Sequence, residues 1–221
     1  MTLIKLPEIT DNPAQTLVTT PSLLTRRGAV RLLALSSAGL FAGTQSSEAF
    51  WDFFASFGGP PSGTLERLNV PLAWQGILGS NLPAYADYLR KSKLKHFTVR
   101  QVIEPHIHKR GRVQNTLPPK AMWGNIRSTL KVIDSLSGRL NVNVDRCISA
   151  YRSPDYNASC PGAKRHSYHT RNNAVDIVFP CSPGKVAAMA RAMRSTGIYK
   201  GGVGRYSGFT HIDTRGSNVD W

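Results

Sequence analysis

Residues 164–179 read KRHSYHTRNNAVDIVF, and residues 209–215 read FTHIDTR. The first stretch ends in AVDIVF, an apolar run of strand length, and the second also reads as a strand. Successive side chains of a strand point to opposite faces, so Ala174, Asp176 and Val178 share a face. Phe209, His211, Asp213 and Arg215 share a face in the second strand. Side by side, two such strands turn Asp176 and His211 towards one point. His169 lies seven residues before Asp176, so the intervening TRNN must loop back. Asn172 and Asn173 tolerate the left-handed backbone that such a loop needs. Two imidazoles and one carboxylate form a three-ligand set that leaves zinc an open fourth position for water. The string HxxxxxxD is not rare, however, and spacing alone does not establish a metal.

Outward from this pair, the periodicities give an α+β chain, a small antiparallel sheet flanked by helices. Met122, Ile126, Leu130 and Ile133 line one face of a helix over about 120–137, with Gly138 as its expected stop. VNVDRCISAY (142–151) is β-rich, and PGKVAAMARAMRSTG (183–197) is a helix from Pro183 to about 196, closed by Gly197. YKGGVGRY (199–206) is a glycine-punctuated strand pair or turn. Residues 82–103 hold a basic helical stretch ending in FTVRQVI, a strand or short helix. IHKRGRVQNTLPPK (107–120) reads as a basic loop. The chain divides into 1–49, a loosely ordered arm at 50–81 containing the Gly/Pro-rich FGGPPSG, and one catalytic domain at 82–221. There are no internal repeats.

The segment 21–49, PSLLTRRGAVRLLALSSAGLFAGTQSSEA, has the layout of an export signal. The Arg26-Arg27 pair points to the twin-arginine route, and Ser47 and Ala49 suit a small-x-small cleavage site. Its uncharged run, Leu32 to Gly43, is shorter than the ~20 residues needed to span a bilayer. The whole chain has 28 Lys+Arg against 13 Asp+Glu, a net charge of +15 on 221 residues. Cleavage after Ala49 would remove four basic and three acidic residues, leaving +14. Such a charge implies an anionic partner: nucleic acid, a lipid surface or an acidic polymer. Export favours cell-wall polymer over nucleic acid, which is not expected as a partner. The mature chain is expected to carry no transmembrane helix. Three cysteines, Cys147, Cys160 and Cys181, allow one disulfide with a thiol left over, and no pairing follows from the sequence.

Other signals are weaker. His106 and His108 form an HxH that could present two imidazoles on one strand face, but a basic surface loop explains it as well. His166, beside Lys164 and Arg165, faces either substrate or solvent. GGVGRYSG is not a phosphate loop, because Ser207 stands at the third glycine and no helix follows. A Ser-His-Asp arrangement and a GxSxG elbow are both missing, and Cys160 with His166 is a less economical catalytic pair.

Three motifs occur in order: SAYRSPDYN (149–157), KRHSYHTRNNAVDI (164–177) and GGVGRYSGFTHIDTRGSNVDW (201–221). Together, over roughly 94–221, they resemble the zinc D-alanyl-D-alanine carboxypeptidase and murein endopeptidase family, with its hedgehog/DD-peptidase fold. They are most similar to the twin-arginine-exported murein endopeptidases. The resemblance implies Zn2+ held by His169, Asp176 and His211, with Ser167 and Arg152 binding substrate. It also implies that zinc-activated water cleaves amide bonds of peptidoglycan stem peptides or cross-links in the periplasm or cell envelope. Endopeptidase is favoured over carboxypeptidase. Two departures stand out. The family's glycine after the first ligand is Asn172 here. Its acid three residues before the last ligand is Gly208, and the His that other branches place two before it is Phe209. Asp213 is left, either to accept a proton from water as a catalytic base with Arg152 as oxyanion donor, or to orient His211. The alternative is a non-catalytic cell-wall-binding protein that keeps the fold.

Overall fold

The computed structural model describes residues 63–221; the expected export signal at 1–49 and residues 50–62 of the expected arm lie outside the described residues. Helix α5, Ile126–Leu140, shows how the core is organised. Ile126, Leu130, Ile133 and Leu136 recur at helical spacing and are fully buried, each contributing roughly 1.5–3 kcal/mol of transfer free energy. The preceding turn, Lys120–Asn125, is 3-10 rather than α. Gly138 is inside the helix, and the stop falls at Asn141, whose φ of 53° is left-handed. Asparagine takes that conformation more readily than other non-glycine residues, so it closes the helix as glycine would.

Five strands form the main sheet: β3 Arg146–Ser149, β4 Ala174–Val178, β5 Gly202–Arg205, β6 Thr210–Asp213 and β7 Val219–Asp220. Their order is β3-β4-β6-β5-β7, antiparallel throughout except for the parallel β5–β7 edge. Val175 and Ile177 of β4, Val203 of β5 and Ile212 of β6 enter the hydrophobic core. There α5 and α7, Pro183–Ser195, pack against each other and against the sheet. The alternate residues, Asp176, His211 and Asp213, consequently face away from that core. Ser182 caps α7 by accepting from the Lys185 amide, and Gly197 follows it at φ 77°.

The stretch expected to be a loose arm is not loose over its described part. Residues 63–81 include α1, Thr64–Arg67, and α2, Ala73–Leu78, and Leu65, Val70 and Trp74 join the core. The Gly/Pro signal that suggested an arm ends at Gly63, and the apolar residues after it have a core to cover. Helices α3, Leu82–Arg90, and α4, Val99–Ile103, follow; α4 is opened by a reciprocal Thr98–Gln101 capping box. The expected basic loop contains a short hairpin, β1 Lys109–Arg110 with β2 Val113–Gln114. It ends on the buried Asn115, which donates to the Tyr151 carbonyl and accepts from the Ser153 amide. That clamp holds both neighbours of Arg152. Among the described residues no helix is long and apolar enough to cross a membrane, and all three cysteines are free.

His106 and His108 do not share a face: His106 is fully buried in a 3-10 turn, while His108 is exposed. His106 Nδ1 bonds the Ile103 carbonyl, and Nε2 has no partner, so burial lowers its pKa to about 4. Between about pH 4 and 6.5 the unfolded chain binds a proton here that the folded chain does not. Stability therefore rises with pH across this window, by about 1.4 kcal/mol per pH unit. His106→Gln is expected to flatten that slope, which urea unfolding of the metal-free chain at pH 4.5, 5.5 and 6.5 would measure.

Candidate metal centre

Position begins with register. Asp176 and His211 are direct cross-strand partners in the antiparallel β4–β6 pair, as the alternation predicts. His169 arrives from a 3-10 turn, Tyr168–Arg171, which Asn172 ends with φ 53° and ψ 40°. The asparagine thus takes the left-handed role expected of it. Its side chain also donates to the Met122 carbonyl, tying the turn to the 3-10 turn that precedes α5. Ser167 caps the turn: its Oγ accepts from the His169 amide at 3.3 Å and its carbonyl accepts from Thr170.

The three side chains are almost fully buried and converge. Asp176 Oδ1 lies 3.2 Å from His169 Nε2 and 2.8 Å from His211 Nδ1, and the two nitrogens are 3.2 Å apart. The second ring nitrogens identify where the protons sit. His169 Nδ1 is 2.7 Å from the Ala150 carbonyl, which can only accept. His211 Nε2 is 3.0 Å from Asp213 Oδ2, a carboxylate that also accepts. Assigned in this way, both N–H groups point outward, and two lone pairs plus one carboxylate oxygen point at the same spot. Such a donor set repels itself until a cation enters, and imidazole and carboxylate suit a divalent transition metal. It is the one cluster of at least three metal-ligating side chains among the described residues.

Burial pushes the Asp176 carboxyl up, but His169 and His211 beside it outweigh burial and hold it well below the usual carboxylate range. Burial lowers His169, whereas the Asp176 and Asp213 contacts overcome burial and raise His211. Asp176 Oδ2 receives Arg152 Nη2 at 2.6 Å, and Arg152 Nε donates to Ser149 Oγ at 2.7 Å. Arg152 therefore orients the Asp176 carboxylate while also lining the cleft.

Asp213 is not where a proton acceptor for water would stand. It is fully buried on the far side of His211, and the imidazole separates it from the point of convergence. Its oxygens are taken by the Gly202 amide at 2.9 Å and by the Arg215 amide and guanidinium. Arg215 and His211 hold its carboxyl below the usual range, against burial that would raise it. Of the two roles expected of Asp213, this placement suits the one of orienting His211.

Sequence reasoning missed the groups around this core. Arg215 shares the face of His211 and Asp213, which was a usable signal; its guanidinium lies over the Tyr168 ring at 4.2 Å and the Trp221 ring at 5.1 Å. Trp221 packs against His211 with centroids 5.0 Å apart. The Ala150 carbonyl and Ser149 carry no sequence signal of this kind. The site opens into a cleft of about 620 Å³, with His166, Ser167, Tyr168 and Arg152 among the residues lining it. A groove of about 760 Å³ beside α5, lined by Ser128, Lys131, Ser135 and Lys200, contains no comparable donor set.

Searches of curated proteins and of solved structures return no match. The model of one family, described as Peptidase M15, matches residues 95–213. The matched span begins before α4 and ends at Asp213, so it covers the converging His169, Asp176 and His211 and both partner strands. A model that covers more than half of the chain, with a buried His-Asp-His donor set inside it, means that this protein belongs to the peptidase M15 family of metallopeptidases.

Proposed function

We propose that the protein is an exported zinc peptidase that hydrolyses amide bonds in peptidoglycan stem peptides or cross-links, with murein endopeptidase favoured over carboxypeptidase. The observation that carries this reading is the pair of imidazole lone pairs and the Asp176 oxygen aimed at one buried point. His169, Asp176 and His211 would hold Zn2+, which supplies Lewis acidity, acidifying water and polarising an amide carbonyl at neutral pH. The surrounding chain holds the donors still. The Ala150 carbonyl fixes the His169 tautomer, Arg152 fixes Asp176, and Asp213 fixes His211. The cleft rim carries Arg152, Lys164 and Arg215, cations suited to the free carboxylates of stem peptides. Arg152 would add a donor to a developing oxyanion, and Ser167 would contact substrate beside His169. A hedgehog/DD-peptidase fold, a cleaved twin-arginine signal at 1–49 and a periplasmic or envelope location complete the proposal.

The test uses residues 50–221 incubated with purified sacculi, followed by mass analysis of the muropeptides. Cross-linked dimers are expected to disappear with one equivalent of zinc and to persist with chelator. An unchanged profile, with zinc bound and the protein still sedimenting with sacculi, would instead establish the non-catalytic wall binder.

A further inference from the structure

The side chains that line the cleft supply many donors and few acceptors. Arg152, Lys164 and Arg215 belong to residue types that donate hydrogen bonds and accept none. Asp176 is committed to the donor cluster and to Arg152. Asp220 has both oxygens occupied, Oδ1 by Arg191 and Arg194 and Oδ2 by Arg194. Tyr206 receives the Trp221 indole N–H, and Tyr168 is covered by the Arg171 and Arg215 guanidinium groups. Gly208, in the β5–β6 turn, brings no side chain.

His166 remains. It lines the same cleft three residues before His169, is exposed, and among the described residues no hydrogen bond engages its ring. The backbone on either side of it is anchored. The Lys164 carbonyl accepts from both the Ser167 amide and Asn157 Nδ2, and Ser167 caps the turn that carries His169. An imidazole on an ordered turn, open to the cleft, is suited to pick up a proton and hand it on.

We propose that His166 is the proton-transfer residue of the reaction, an inference that rests on the peptidase reading above. A bond forms between the oxygen of water and the acyl carbon, and the C–N bond breaks. One proton of that water passes through His166 to the leaving nitrogen. The second leaves as the new carboxylate ionises, and it completes protonation of the amine. His166 ends as it began.

The zinc-loaded chain and its His166→Gln variant would be compared on a cross-linked muropeptide dimer. His166 is exposed, and the variant is expected to fold and to bind zinc as wild type does. The expected result is a fall of about 10²-fold in kcat with KM within twofold, and partial rescue of His166→Gly by added imidazole. A second readout is independent of turnover: zinc addition shifts the His166 ring signals in 1H–15N spectra, while those of His96, hydrogen-bonded to Asn143 outside this cleft, stay in place. A kcat within threefold of wild type, a change confined to KM, or His166 signals unmoved by zinc would overturn the proposal. Wild-type chain that leaves the dimer intact would instead remove the peptidase reading itself.

Discussion

Asp176→Asn is expected to abolish hydrolysis, by at least about 10⁴-fold, because it removes the one negative charge among the three converging donors. That factor corresponds to the several kcal/mol that a metal contributes to transition-state stabilisation. The substitution keeps the shape of the side chain, so its effect is electronic. Oδ1 no longer offers an anionic ligand between His169 Nε2 and His211 Nδ1, and the bound zinc, read by mass spectrometry under native conditions, should fall to near zero. A second consequence distinguishes this variant from His211→Ala. Arg152, with a side chain only 16% exposed, loses the partner of its 2.6 Å ion pair. Breaking a buried pair from one side costs about 3–5 kcal/mol, so Asp176→Asn should destabilise even the metal-free chain, and His211→Ala should do so less. The acid dependence follows the same logic. The Asp176 carboxyl titrates below its unfolded value, so its contribution is complete above about pH 4 and is lost as the pH falls further. Retention of one zinc and more than a tenth of the activity by Asp176→Asn would exclude Asp176 as a ligand.

Much of this site was legible because β-strands translate sequence into direction. Alternation along 174–179 and 209–215 was enough to place Asp176 and His211 on one face, and the register makes them direct partners. Asn172 was legible for a related reason, since few residues tolerate the φ that closes the His169 turn. Asp213 shows the limit of alternation. It shares His211's face in the strand pattern, but a shared face does not say which side of a neighbouring ring a carboxylate reaches. That depends on Gly202 and Arg215 drawing it to the far side. The role of residues 63–81 was hidden differently. A Gly/Pro-rich stretch marks where a chain can turn, not where order ends, and only tertiary packing recruits Leu65, Val70 and Trp74. Arg152's bond to Asp176 was equally out of reach, because the two residues are 24 positions apart in the chain.

The glycine pair Gly201-Gly202 separates the sheet from the site, and the two alanine variants should fail in different ways. A Cβ at Gly201 would overlap the backbone carbonyl of Asp213 and crowd Thr214 Cα at 3.1 Å. Neither can retreat easily, because Asp213 pairs with Ala174 in the neighbouring strand and Ile212 with Val203. Gly201→Ala is therefore expected to cost more than about 3 kcal/mol, beyond the usual range for overpacking because the obstacle is backbone. For a domain of this size that lowers Tm by at least about 6–12 °C. At Gly202 the obstacle is the end of a side chain: a Cβ would stand 2.5 Å from Asp213 Oδ2 and 2.9 Å from Arg215 Nη2. The carboxylate can yield, but only by leaving the Gly202 amide and His211 Nε2. Gly202→Ala should therefore fold with a smaller loss of stability and bind zinc about 10–100-fold more weakly, the usual cost of losing a partner that orients a metal-binding imidazole. Thermal unfolding of the metal-free variants and zinc competition with a chromophoric chelator measure the two effects separately. Wild-type zinc affinity in a folded Gly202→Ala would mean that Asp213 does not hold His211 in place.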